Sequence, residues 1–351
     1  MAQEYIILAI NPGSTSTKIA LFDGTEPFAT ASIDHTPPDG GIWDEFESRL
    51  AQIRAKFEEI RENRVPNAVV GRGGLLKPLK GGTYTVDENM ITDARANLQG
   101  EHAANLGCAF AQSIAADFGV PAFTVDPICT DEFEPVARYS GLPQIERRAL
   151  AHTLNMHAVA RKAANALGIP YGESAFVVAH LGGGISIGPV VGGRIIDVND
   201  ASSNGPFSPD RTGTLPLQPF IKLCFSGEYD AASMKKLVMG KGGLIAYLGT
   251  NNLIEIEERI ANGDTKAKEV VEAMCYQIAK EIGNMAAAIG RKPDGIIMTG
   301  GLSKSDMVYN LVKDRVEWIA PMHNYAGEHE MLALAEGTLR VLTNEETAKQ
   351  Y

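Results

Sequence analysis

Two short stretches rich in glycine, serine and threonine have the composition to hold phosphate. The first is Asn11-Pro12-Gly13-Ser14-Thr15-Ser16-Thr17-Lys18, and the second is Gly182-Gly183-Gly184 followed by Ile185-Ser186-Ile187-Gly188. An apolar run enters each (5–10 and 175–181) and another leaves it (19–23 and 185–188). Such turns present backbone N–H groups and hydroxyls at close range, which is what phosphate oxygens require. Thr299-Gly300-Gly301 closes a further apolar run at 295–298. Either turn alone reads equally well as an ordinary β-hairpin. Two of them, with a glycine pair at a third strand end, point to two copies of one domain facing each other across a nucleotide. Neither is a P-loop or a dinucleotide fingerprint. Residues 11–18 lack G-x-x-x-x-G-K-[ST] and lead into a strand, and G-x-G-x-x-G would need a glycine where Ile187 stands.

Turns of this kind need strands on both sides and layers behind them. Apolar runs at 5–10, 19–23, 27–33, 68–70, 122–125, 175–181, 185–188 and 295–298 read as strands bounded by Gly, Pro or Asp. Residues 44–64 read as an amphipathic helix. Trp43, Phe46, Leu50, Ile53, Phe57 and Ile60 recur at helical spacing with charges between them. Further helices are expected at 103–118, at 149–167 before Gly168 and Pro170, at 274–289 and at 331–342. This alternation predicts an α/β fold with parallel pairing in part of the sheet. Residues 135–150 are polar and irregular, which places a domain boundary near 148. The expected domains are 1–148 and 149–330, with the terminal stretch 331–351 packing back on the first.

A chain of 351 residues has room for about two domains. An apolar fraction of 44% and a charged fraction of 21% fit a soluble globular protein. The net charge of −11 argues against a nucleic-acid partner and against an anionic membrane surface. It also means that an anionic ligand needs local cations. Cys108, Cys129, Cys224 and Cys275 are widely spaced, with no Cys-x-x-Cys. They form neither a disulfide framework nor a zinc site, and they fit a reducing cytosol. No signal peptide or membrane span is expected, because the N-terminus runs straight into a strand and no apolar run nears about 18 residues.

The segments 10–18, 71–76, 101–107, 179–187, 209–216 and 298–302 together resemble, in order, those of the acetokinase family, and most of all its butyrate kinases. The resemblance runs from residue 5 to about 342. It implies duplicated ribonuclease-H-like domains of the actin, chaperone and sugar-kinase superfamily, with a central nucleotide cleft. It also implies ATP/ADP and Mg2+ as cofactors. Carried over by position, Asn11, Ser14, Ser16 and Lys18 match the first phosphate loop, and Gly182, Gly183 and Gly184 the second. Gly300 and Gly301 match the adenosine motif. Arg72 and Arg211 match two arginines that face the acyl substrate and the transferring phosphoryl group. His102 and Asn105 match a substrate segment, and His180 the histidine of a His-Leu-Gly turn. Asp126 and Glu330 match the magnesium carboxylates, with Glu328 a near competitor of Glu330. Acetate kinases carry one more histidine near the start of a helix. The alignment puts Asn155 or Met156 there, with His152 and His157 nearby, and His152 is taken into the catalytic set.

The chemistry agrees with this assignment. A carboxylate attacking ATP brings repelling anions together, and planar guanidinium groups answer both that repulsion and the charge that spreads during transfer. Arginines more often end in surface salt bridges, but Arg72 sits among glycines and Arg211 in a Pro/Gly-rich loop. Asp126 also suits a turn before Pro127. The expected reaction is reversible, direct in-line phosphorylation of butyrate, or of a related short or branched acid, to its acyl phosphate. The rivals are an acetate or propionate kinase and, from another class, an actin- or chaperone-like ATP switch. A small carboxylate partner and a homodimer or larger assembly complete the expectation. Acid length, oligomeric order and physiological direction stay open.

Overall fold

The computed structural model describes residues 4–36 and 40–351. Contacts divide the chain into two compact units. One comprises Met1–Asp131, Thr153–Asn155 and His329–Tyr351, the other Glu132–His152 and Met156–Glu328.

In the first unit β1 (Ile6–Pro12), β2 (Ser16–Asp23) and β3 (Glu26–Asp34) form an antiparallel meander. Helix α1 (Phe46–Ile60) leads to β4 (Ala68–Gly71), which pairs parallel to β1. The chain continues through β5 (Thr83–Thr85), α2 (Glu88–Arg95) and α3 (Gly107–Phe118) to β6 (Ala122–Val125), parallel to β4. The sheet order is β3-β2-β1-β4-β6-β5, with β5 an antiparallel edge strand. Ile6 through Ile10 are all buried, as suits a strand covered on both faces. Helix α1 buries Phe46, Leu50, Ile53 and Phe57 at helical spacing, and with them Arg49. Gly119 ends α3 in the left-handed conformation.

In the second unit α4 (Thr153–Leu167), apart from its first three residues, precedes β7 (Ala175–Leu181), β8 (Ile185–Val191) and β9 (Arg194–Ile195). Four short helices follow: α5 (Leu217–Cys224), α6 (Ala231–Val238), α7 (Gly243–Leu248) and α8 (Leu253–Ala261). Then come α9 (Thr265–Ile289), β10 (Gly295–Gly300), α10 (Asp306–Val316) and β11 (Met322–Ala326). The sheet order is β11-β10-β7-β8-β9. Strands β7, β8 and β9 make an antiparallel meander, and β10 and β11 add in parallel. Strand for strand, β7, β8, β9, β10 and β11 repeat β1, β2, β3, β4 and β6. The expected duplication is therefore real. The chain returns to the first unit with α11 (Glu330–Leu342), which packs on β1, β4 and β6.

Three helix starts differ from expectation by four residues or more. Helix α3 begins at Gly107, not 103, because Ala103–Leu106 wind as a separate 3-10 turn. Helix α4 begins at Thr153, not 149, with His152 before it at ψ 58°, outside the helical region. Helix α9 begins at Thr265, not 274, with the Asp264 side chain capping the Ala267 N–H at 2.9 Å. Among the described residues no helix is long and apolar enough to cross a membrane.

Candidate active site

The first Gly/Ser turn, residues 13–15, joins β1 to β2. Gly13 N–H donates to the Ser16 carbonyl at 2.7 Å, and a Cβ on Gly13 would lie 2.9 Å from that oxygen. Arg49 braces the turn from beneath. Its side chain comes from the buried face of α1. Nη1 donates to the Gly13 carbonyl at 2.9 Å, Nη2 donates to the Ser14 carbonyl at 3.2 Å, and Nε meets Glu45 at 2.6 Å. In a planar trans peptide the N–H points opposite to the C=O. Drawing the carbonyls of residues 13 and 14 toward Arg49 therefore turns the N–H groups of Ser14 and Thr15 the other way. The carbonyls, which would repel phosphate, are withdrawn, and the donors are presented. Ser14 and Lys18 are exposed and Ser16 opens β2 half-buried. Lys18 stands opposite Asn11 in the β1–β2 register, so the two share a face.

Asn11 leads to the ionic part of the site. Its Nδ2 donates to Glu330 Oε2 at 2.7 Å. Arg72, just past β4, grips the same carboxylate with both Nη groups, at 2.9 Å to Oε2 and 2.8 Å to Oε1. The glycines around Arg72 are obligatory. A Cβ on Gly71 would overlap the Gly107 carbonyl, and one on Gly73 would lie 2.6 Å from Pro127 Cβ. Buried Asn105 holds the loop that follows. Its Oδ1 accepts the Leu75 N–H at 2.8 Å, and its Nδ2 donates to Asn97 Oδ1 at 3.0 Å and to the Gly100 carbonyl at 3.1 Å. Both amide hydrogens are committed, so Asn105 shapes the Arg72 loop. His102 caps the short 3-10 turn at Ala103–Leu106, its Nδ1 accepting the Ala104 N–H at 3.1 Å. Burial first, then the charge of Arg72, holds its pKa below the ordinary histidine value. The ring is thus neutral near pH 7, with its proton on Nε2.

Asp126 follows β6 with φ 39°, a left-handed backbone that few non-glycine residues adopt and that gathers at functional positions. Gly82 fixes it from both ends. The Gly82 N–H donates to Asp126 Oδ1 at 2.6 Å, and the Asp126 N–H donates to the Gly82 carbonyl at 3.1 Å.

The second turn, residues 182–184, joins β7 to β8 with the same three-residue spacing. Its Gly183 carbonyl accepts from Ser208 Oγ. Arg211 lies against Gly184, where a Cβ would fall 2.5 Å from Nη1 and 2.8 Å from Cζ. Among the described residues, light contacts hold this guanidinium: Nη1 to the Ala201 carbonyl at 3.1 Å and Nε to Asp210 Oδ1 at 3.6 Å. His180, on β7 beside the turn, stacks on His152 with centroids 3.9 Å apart and an interplanar angle of 12°. His152 Nδ1 lies 2.9 Å from Ser186 Oγ, and Ser186 is opposite His180 in the strand register. Gly300 exchanges backbone hydrogen bonds of 3.0 Å with Gly327. Its φ of 90° and the Leu181 carbonyl beside it admit only glycine, whereas Gly301 has open space around it.

The sequence model described as Acetokinase family matches residues 143–347. Over 354 aligned residues the chain is 46% identical to Butyrate kinase 2 of Clostridium acetobutylicum, and the match covers 99% of both chains. The chain belongs to the acetokinase family. Solved structures share the fold. Acetate kinase of Porphyromonas gingivalis superposes with a TM-score of 0.77 at 19% identity, covering 95% of this chain and 99% of that one. A propionate kinase from Francisella tularensis gives 0.75 at 18%, covering 95% and 98%.

Of the histidines near the start of α4, His157 turns to Tyr171 Oη at 2.8 Å and Glu132 at 3.3 Å, and Asn155 and Met156 are wholly buried. His152 is the one placed beside His180. For magnesium, both Glu330 oxygens already have partners and Asp126 Oδ1 has one. Among the described residues no group of three or more His, Cys, Asp or Glu could hold a metal. Such a donor set does not fit a metal caged by protein. It fits magnesium carried in by a nucleotide, which takes one or two carboxylates plus phosphates and waters. Arg49 and Ser208 escaped the sequence reading altogether. Arg49 looks there like one more charge on an amphipathic helix, and Ser208 like a loop serine three residues before Arg211.

Proposed function

We propose that this chain transfers the γ-phosphoryl group of ATP to the carboxylate of butyrate, or of a related short or branched acid, giving ADP and the acyl phosphate. The observation that carries the reading is a pairing repeated in each unit. A turn whose carbonyls are held back stands with a loop-borne arginine, Arg72 by way of Asn11 and Arg211 by way of Gly184. The relative at 46% identity supports butyrate as the acid.

The acid is ionised near neutral pH, so no general base is needed. Arg72 offers a planar fork that matches a carboxylate. The N–H groups of the two turns hold phosphate oxygens. Arg211 stabilises the charge that spreads over the equatorial oxygens during in-line transfer. The stacked His152 and His180 bring ring nitrogens to the second turn, and His102 brings an Nε2–H to the first unit's site. Magnesium, held by Asp126 and Glu330, would neutralise phosphate charge. Asn105 positions the Arg72 loop. The high-energy product makes the reverse direction accessible.

A cytosolic location fits the four cysteines, none of them in a disulfide. A homodimer or larger homo-oligomer is supported by α5 and α6, which bury no residue of their own while Leu217, Ile221 and Phe225 stand exposed. Light scattering on Phe225→Ser should show a lighter particle than the wild type.

Hydroxylamine trapping tests the reaction itself. MgATP with butyrate should yield acyl hydroxamate. ATP hydrolysis without hydroxamate from any acid between acetate and hexanoate would favour a nucleotide switch. A kcat/KM series peaking at acetate would leave the chemistry and replace the acid. A pocket fitted to four carbons should instead favour butyrate over acetate by roughly 10- to 20-fold, at about 0.8 kcal/mol per buried methylene.

A further inference from the structure

Arg72 already holds a carboxylate. Its two Nη groups meet the two oxygens of Glu330 at 2.9 and 2.8 Å, the fork-to-fork geometry that a carboxylic acid substrate would adopt. We infer that Glu330 stands in for the acid on Arg72, and that acid enters when Glu330 turns to the cation brought by the nucleotide, so acid and metal-nucleotide bind cooperatively. This rests on the carboxylate-kinase reading above.

One guanidinium fork cannot grip two carboxylates in the same way, so Glu330 and the acid compete. The pair is placed for exchange. Arg72 is 19% and Glu330 11% exposed in their side chains, enough for a ligand to reach them and too little for water to screen them fully. Each partner also sits at the end of an element, Arg72 just past β4 and Glu330 as the first residue of α11. Asn11 binds Glu330 Oε2 at 2.7 Å and comes within 3.4 Å of Arg72 Nη1, so it can stay with either group as the pair opens.

Energetics decide the direction of the coupling. Removing one member of a partly buried ion pair leaves an uncompensated charge, which is costly. Displacement of Glu330 by the acid alone would strand the glutamate. The N-terminus of α11 offsets some of that cost, and a divalent cation offsets far more. With the cation present, Arg72 exchanges one carboxylate for another and Glu330 gains a new partner. Linkage makes the effect reciprocal: the metal-nucleotide raises acid affinity by the factor by which acid raises metal-nucleotide affinity.

Calorimetric titration of the full chain with butyrate tests this in three solutions: EDTA alone, ADP with EDTA, and ADP with Mg2+. Wild type should bind butyrate about tenfold more tightly with Mg-ADP than with ADP and EDTA, within the usual range of coupling. Glu330→Gln keeps the side chain's size and removes the competing charge. It should bind butyrate about tenfold more tightly than wild type in EDTA, and Mg2+ should add little further. Equal butyrate affinity for wild type with and without Mg2+ overturns the inference, and that comparison stands even if the variant does not fold. A folded variant that binds butyrate no better than wild type in EDTA also overturns it. Hydroxamate trapping separates the two levels. Acyl phosphate formed without metal-linked acid binding removes the exchange and keeps the kinase, whereas no acyl phosphate from any acid removes both.

Discussion

The two Gly/Ser turns occupy the same junction of a repeated sheet, the first link of its meander, and both span three residues. They are held in opposite ways. In the first, a charged side chain from α1 grips two carbonyls, and only 2% of that arginine's side chain is exposed. In the second, the neutral Ser208 hydroxyl grips one carbonyl, and the arginine lies on the turn itself with 27% of its side chain exposed and its carboxylate partner 3.6 Å away. Common topology thus aims the N–H groups. How firmly an arginine is committed decides whether it braces the turn or stays available to a ligand.

That contrast breaks most visibly at Arg211. Arg211→Ala should lower kcat by about 10²- to 10³-fold, the scale for losing one electrostatic stabiliser, with KM for ATP little changed. Arg211→Lys should also be poor, because a point charge does not replace a planar fork. Steady-state kinetics reads both, and a near-normal kcat would make Arg211 a second brace.

Arg49→Met should do the opposite. The turn carbonyls lose their donor and Glu45 loses its cation, so KM for ATP should rise about tenfold while kcat stays within a few-fold. Stability should fall by about 1–3 kcal/mol for polar groups left unpaired. Denaturant melts alongside kinetics check this, and a kcat loss as large as that of Arg211→Ala would erase the distinction. Ser208→Ala sharpens the comparison at smaller scale. One neutral hydrogen bond is worth about 1 kcal/mol, so ATP affinity should drop roughly fivefold.

The smallest effect belongs to His102 and concerns pH. Its folded pKa lies below the unfolded value, first through burial and then through Arg72. Above the unfolded value both states are neutral and the ring contributes nothing to pH dependence. As pH falls below about 6.5, the unfolded state takes the proton first and stability declines until the folded pKa is reached. Replacing His102 with Gln should flatten the melting temperature between pH 7 and 5. An unchanged slope would sink the assignment.

Much of the fold is legible along the chain, and the misses have local causes. Strands β1, β2, β7 and β8 announce themselves as mostly apolar runs around glycine turns. Strands β5 and β9 have three and two residues, too few to show a period. Helices α5 and α6 are eight residues each and bury nothing within the chain, so they are too short and too weakly packed to stand out. The first turns of α9 carry Lys266, Lys268, Glu269 and Glu272 around Ala267, Val270 and Val271, and the charges obscure the buried face.

The two turns and their flanking strands follow from the chain's local pattern, because strand propensity and turn chemistry act over a few residues. Gly71, Gly73 and Gly300 are instead required by Gly107, Pro127 and Leu181, far along the chain. Tertiary structure decided which charges serve those turns. Arg49 reaches carbonyls 35 and 36 residues before it, and Arg72 and Asn11 meet Glu330 across 258 and 319 residues. Such pairings exist only because α1 buries one face on the sheet and α11 returns to pack on β1, β4 and β6. An arginine's role follows from what burial leaves within its reach, and no local pattern encodes that.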